Sequence, residues 1–237
     1  MRRRIVVRRT IRERTASRWP VIAAAATAGA LAVAGCGQQQ LGAAALYGHQ
    51  RISSTKLAAE VANLKTWYQR YQGRVQIGYP QSDMPRQVLN WMLRFAVTER
   101  LAAREHISVT PAQAQVQLSN ERIRLQQAGD TLPEASVLNG LPPDLLPELG
   151  RWIAIQVQLA SRLNNGVPPK TTAAQDAVNL RISQLQCLAV KSLNIKVNPQ
   201  YGSYDFGQYL VVPAPNTLAK GSHASASPTP RPSPTCR

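Results

Sequence analysis

Apolar residues along this chain recur every three or four positions between about residue 55 and residue 193, the spacing of helices that bury one face. Leu57, Val61, Leu64, Trp67, Tyr68 and Tyr71 form one such face and predict a helix over 55–72, capped by Ser53 or Ser54 and stopped at Gly73. Over 86–106, Val88, Leu89, Trp91, Met92, Leu93, Phe95, Ala96, Val97, Leu101 and Ala102 cover more than half the helix surface. A helix so apolar must pack on two sides, and it is expected to be central. Thr110-Pro111, a cap followed by proline at the first helical position, opens a third helix reaching about residue 127. Only Val116, Leu118, Ile123 and Leu125 are there to bury, so this helix belongs on the surface. A fourth helix opens within 142–147, carries Leu145, Leu149, Trp152, Ile153, Leu159 and Leu163, and ends before Asn164-Asn165-Gly166. Thr171 or Thr172 caps a fifth, with Val178, Ile182, Leu185, Ala189 and Leu193 on one face and Cys187 within it.

The period changes at both ends of this helical body. Ala45-Leu46-Tyr47-Gly48-His49-Gln50-Arg51-Ile52 reads as a short strand, a tight turn at Gly48 and a second extended piece. Residues 73–85 read as a polar loop around an extended Val75-Gln76-Ile77. Ile195-Lys196-Val197 alternates like a strand, and its expected partner is 45–47. The predicted fold is therefore mainly α: about five helices in an open bundle or cradle, with a short strand pair joining the two ends of the body. This body spans 44–212, after a flexible tether over 36–43. Beyond Pro213 the chain is Ser, Pro, Thr and Ala, too poor in apolar residues to repay the entropy of ordering, so 213–237 is expected to be disordered.

Ahead of the tether the pattern is of another kind. Eight arginines within 2–18 precede an apolar and small run over 21–35, the order of a secretory signal peptide. The run is shorter than the roughly 20 residues a membrane-spanning helix needs. Val33-Ala34-Gly35-Cys36 resembles the lipobox of bacterial lipoproteins, and that resemblance implies lipid on Cys36, cleavage after residue 35 and attachment to the outer face of the cell membrane. An ordinary secreted protein with an incidental thiol at Cys36 is the alternative. Arg3-Arg4-Ile5-Val6-Val7-Arg8 loosely resembles a twin-arginine signal, but the apolar run begins later than such signals usually allow.

Charge is partly a property of that leader. The whole chain carries +16, and the leader holds eight arginines against one glutamate, so +9 stays with the remainder. A residual positive charge favours anionic lipid heads or wall polymers. The basic residues are scattered along helices instead of forming a stripe, and nucleic acid is not an expected partner. With Cys36 assigned to lipid, Cys187 and Cys236 are left, and an oxidising compartment permits them to pair. Closing that loop contributes up to ~4 kcal/mol in the chain-entropy picture. A buried Cys187 beside a free Cys236 is the other reading.

Catalytic spacing is sparse. His49, His106 and His223 have no second ligand at metal spacing, no G-x-S-x-G supports a nucleophilic serine, and the cysteines form no C-x-x-C. Glu99 and Glu105 stand among basic neighbours on a helix and read as solvated ion-pair partners. Neither a metal nor a cofactor is expected, and the chain does not read as an enzyme.

Ala45-Leu46-Tyr47-Gly48-His49-Gln50-Arg51-Ile52-Ser53, the helix after it, Val88-Leu89-Asn90-Trp91-Met92-Leu93, and Leu101-Ala102-Ala103-Arg104-Glu105-His106-Ile107-Ser108-Val109-Thr110-Pro111 together resemble the N-terminal domain of SurA-type and PrsA-type extracytoplasmic chaperones. In that family a strand of the form hydrophobic-x-Gly-x-x-Ile precedes the first helix. The long helix then ends in Ala-x-x-x-Gly-Ile-x-Val-Thr; His106 stands at the glycine. Asn198-Pro199-Gln200-Tyr201-Gly202-Ser203-Tyr204-Asp205 is similar to a segment closing lipoprotein members. The resemblance covers about 44–197 and implies a cradle that holds unfolded exported polypeptides. Many members add a parvulin prolyl isomerase domain, but 198–212 is far short of the ~50 residues a domain needs.

Trp67, Tyr71, Trp91, Phe95 and Trp152 are the candidates for lining such a groove, although each taken singly also reads as a core aromatic. The expected function is a non-catalytic holdase. Its rivals are a scaffolding lipoprotein with one envelope partner, which a flat polar body would favour, and a degenerate prolyl isomerase, which would need a deep pocket of convergent polar groups.

Overall fold

In the computed structural model the described residues are 42–214. The chain divides into units over 1–36 and 37–237, and everything described belongs to the second. The leader, Cys36 and the tail beyond residue 214 lie outside the described residues.

A hairpin opens the body. β1 (Ala43–Tyr47) pairs antiparallel with β2 (Gln50–Ser53) through the two-residue turn Gly48-His49. Gly48 takes φ +56°, the positive φ that tight hairpin turns require, and its N–H donates to the Leu193 carbonyl at 2.5 Å. Ser53 then caps α1 (Ser54–Arg70), accepting from the Lys56 N–H at 3.1 Å. Leu57, Val61 and Leu64 are buried, whereas Trp67, Tyr68 and Tyr71 are half-buried.

The expected extended piece around residues 75–77 forms no strand; after it a single 3₁₀ turn, Gln81–Asp83, leads into α2 (Met84–Arg104). α2 packs on α1 and on elements that follow it in the chain. Ten of its 21 residues are buried, including Leu89, Leu93 and Leu101, each contributing about 1.5–3 kcal/mol of transfer free energy. The central helix is as the sequence predicts.

α2 ends in a Schellman arrangement: Ile107 N–H donates to the Ala102 carbonyl at 2.8 Å and His106 N–H to that of Ala103 at 3.4 Å. His106 takes φ +52°, a left-handed conformation that glycine adopts more readily. Thr110 and Gln113 form a capping box for α3 (Pro111–Gln127). α3 lies on the surface as expected, but it buries less than its pattern suggests. Leu118 is buried, while Val116 and Ile123 are 55% and 53% exposed.

A helix the sequence reading omits comes next. α4 (Leu132–Leu138) makes six α-helices among the described residues, where about five are expected. Thr131 caps it, accepting from the Glu134 N–H, and Thr131 Oγ donates to the Glu134 carboxylate at 2.6 Å. Arg74 Nη2 reaches the same carboxylate at 2.7 Å and ties the loop after α1 to α4. The local signal was there in Thr131-Leu132-Pro133-Glu134, a cap followed three residues later by glutamate; seven residues are too few to show helical periodicity.

Pro143–Leu145 forms a 3₁₀ turn that runs into α5 (Leu146–Leu163), and α6 (Thr172–Leu193) starts from a Thr171 cap. α3 crosses α5 at Gly150, where an added Cβ would stand 2.7 Å from the Ala114 carbonyl oxygen and 3.2 Å from Leu118 Cβ. This contact turns the small residues Gly150 and Ala154 inward along with Ile155 and Leu159, and leaves Leu149, Trp152 and Ile153 half-buried.

β3 (Lys196–Val197) pairs antiparallel with β1, Ala45 opposite Val197, giving the sheet order β2-β1-β3 and joining the two ends of the body as predicted. A further hairpin, absent from the sequence reading, closes it: β4 (Ser203–Asp205) and β5 (Leu210–Val212). The hairpin docks on α2 through buried Asn90, whose Oδ1 accepts from the Val211 N–H at 2.6 Å.

Candidate functional site

The largest hollow among the described pockets, about 580 Å³, opens where the β1–β2 turn meets the middle of α2 and the end of α6. On α2, Met92, Phe95 and Glu99 follow at three- and four-residue intervals, so the helix presents one stripe to the hollow. Ile52, Leu145 and Leu193 complete an apolar floor, and Arg51, Lys56, Arg100 and Glu148 stand around it. The hydrogen bond from Gly48 to Leu193 sets the height of the turn, placing His49 at the edge.

The rim charges are partly committed. Arg151 of α5 grips the Glu99 carboxylate with Nε and Nη2 and donates from Nη1 to the Val109 carbonyl at 2.7 Å. That two-pronged pairing raises the pKa of Arg151, chiefly through the side-chain hydrogen bond. Glu99 is thus the ion-pair partner expected of it. Close by, burial, together with the carboxylates of Asp144 and Glu148, raises the pKa of Glu60, against the opposing effect of Lys56. Ser192 Oγ donates to the Ala189 carbonyl at 2.7 Å and accepts from Arg100 Nε at 3.4 Å. The chain of nucleophile, base and orienting group that acyl transfer uses is not assembled around Ser192.

The five aromatic candidates fall into two sets. Trp91 contacts Phe95 at 5.8 Å between ring centroids and Trp152, edge to face, at 6.3 Å, and the Arg94 guanidinium lies 5.1 Å from the Trp91 ring. Trp91 Nε1 donates to the Asn139 carbonyl at 2.9 Å, which fixes the indole between α2 and the end of α4. Trp67 and Tyr71 stack at 5.8 Å, with the Arg70 guanidinium 4.3 Å from Trp67 and that of Arg74 6.0 Å from Tyr71. All five are half-buried, Trp67, Tyr71, Trp91 and Phe95 against the main core, and among the described residues no ring contact joins the sets. Only Phe95 reaches the hollow. Sequence reasoning missed the rest of its lining because Ile52, Met92, Leu145 and Leu193 carry the same signature as core residues.

Cys187 is buried in α6 and disulfide-bonded, with its partner outside the described residues, as is Cys236. Among the described residues no group of three or more His, Cys, Asp or Glu could hold a metal ion, and no helix is long and apolar enough to cross a membrane. Set against protein-family models, curated proteins and solved structures, the chain matches none.

Proposed function

We propose that this protein is a lipid-anchored binding protein on the outer face of the cell membrane, a non-catalytic holdase for unfolded exported polypeptides of the SurA-like and PrsA-like kind. The observation that carries the reading is the hollow beside the β1–β2 turn, whose apolar floor of Ile52, Met92, Phe95, Leu145 and Leu193 is ringed by charges of both signs. An apolar floor accepts side chains by area, without demanding a sequence, and a charged rim keeps the empty site soluble. Anchorage rests on Cys36 and the leader before it.

The purified protein should suppress aggregation of a chemically unfolded protein at stoichiometric ratios, and Phe95→Ser should weaken the effect. No protection at any ratio would overturn the holdase reading. Cys36→Ala should release the protein from the membrane fraction, and unchanged retention would overturn the anchor. A proline-isomerisation assay should give only the background rate.

One observation favours the second reading, a scaffold with a single envelope partner: the aromatic candidates are divided between two places and do not line one continuous groove. A scaffold would leave the aggregation assay unchanged and would recover the same one partner after crosslinking in intact cells.

A further inference from the structure

A second cavity, about 230 Å³, lies between α2, α5, α6 and the β4–β5 hairpin, and three features of its lining point the same way. Tyr209 has a buried hydroxyl without a hydrogen-bond partner. An unsatisfied buried hydroxyl is costly, and few native structures leave one without a use. Tyr209 also holds φ +56°, a left-handed conformation that a bulky side chain rarely takes. Its surroundings enforce this: Asp205 Oδ1 accepts from the N–H groups of Gly207 (2.7 Å) and Gln208 (3.2 Å), closing the loop, while Asn90 clamps β5 just beyond it. Backbone strain of this sort persists where the fold requires a side chain in one place.

The third feature is Arg94. It stands exposed at the cavity mouth, held over the Trp91 ring, and among the described residues no carboxylate pairs with it. Gln186 and buried Thr98 add polar groups to the wall, and Trp152 supplies an apolar face. On that same face of α5, one turn beyond Trp152, Gln156 has a buried amide nitrogen without a partner.

We propose that this cavity is a binding site for a carboxylate borne on an apolar group, with Arg94 gripping the two oxygens and the Tyr209 hydroxyl donating to one of them. A guanidinium fork matches a carboxylate in geometry and in charge. A doubly charged phosphate would find one cation in the lining and no cluster of backbone N–H groups, so a monoanion is the better match. The carboxylate has two sources, the C-terminus of a polypeptide or a free organic acid, and the site does not depend on the holdase reading.

Calorimetry on the purified full chain distinguishes these sources and tests the site. The probes are the tripeptide Ala-Ala-Phe, the same peptide as its C-terminal amide, and 3-phenylpropionate. The peptide acid should bind at least about tenfold more tightly than its amide, the scale of one charge-assisted hydrogen bond. Arg94→Gln should remove that preference, Arg94→Lys should restore only part of it because the fork is lost, and Tyr209→Phe should weaken binding of the acid severalfold. Phenylpropionate matching the peptide acid would assign a free acid, and a tighter peptide acid would assign a chain terminus; either supports the site. Equal binding of acid and amide, no binding of any acid, or full affinity in Arg94→Gln would overturn it. The comparison of acid with amide uses the unaltered protein, so it stands even where a variant fails to fold.

Discussion

α2 and α3 follow one another in the chain with only residues 105–110 between them, yet they are held by opposite means. α2 has no side-chain cap bond at Asp83 and buries ten residues; α3 has a complete capping box and buries Leu118 alone. The first is a helix because the rest of the body closes around it. The second has its own first turn satisfied, and it rests on α4 and on α5, where Gly150 lets the two helices approach closely. Caps set where a helix begins, whereas burial sets how much of the fold depends on it.

This contrast can be broken from either side. The largest effect should come from Leu101→Ala in α2, which removes a fully buried side chain and should cost about 2–5 kcal/mol, read as a lower denaturation midpoint with an unchanged slope. A loss below about 1 kcal/mol would mean that α2 is not the centre of the body. Gly150→Val should cost about 1–3 kcal/mol by pushing α3 off α5, and hydrogen exchange should quicken in α3 ahead of α2. Thr110→Ala should cost about 1 kcal/mol, with the loss of protection confined to the first turn of α3. His106→Gly should stabilise by about 0.5 kcal/mol, since relief of a left-handed residue outweighs the extra freedom of the unfolded chain. Val116→Ser, on the open face of α3, should change stability by no more than about 0.5 kcal/mol.

The same contrast explains which elements could be read in advance. The start of α3 was legible to the residue because Thr110 and Pro111 announce it, a cap followed by proline at the first helical position. α2 was legible from composition; it starts two residues earlier than expected because Met84 and Pro85 join the first turn, and ends two residues earlier because the Schellman turn at His106 closes it. α4 escaped because its length is below two full periods of a helix. The β4–β5 hairpin escaped for a different reason: Gly202 stands at φ +127° with the Val212 carbonyl pressed against it, and Asn90, some 120 residues away in the chain, supplies the anchor. No local pattern reports a bond of that span.

Of the candidate sites, Phe95 alone was both named in advance and found in the main hollow. Trp67 and Tyr71, near the end of α1, are half-buried beside the guanidinium groups of Arg70 and Arg74. Tyr209 and Arg94, on which the second cavity turns, gave no signal at all. Arg94 read as one more charge on a helix, and Tyr209 lies past the 198–205 segment, where no pattern stands out.

The sequence by itself determined the helical class, the central place of α2, the cap at Thr110, the caps at Ser53 and Thr171 to within one residue, and the pairing of β1 with β3, because period, cap chemistry and strand alternation act over a few residues. Only the tertiary structure decided that α3 crosses α5 at a glycine, that the aromatics divide into two sets, and that a strained tyrosine and an unpaired arginine share one cavity. Those outcomes depend on contacts between residues distant in the chain, and distance in sequence carries no periodic signal from which such contacts could be read.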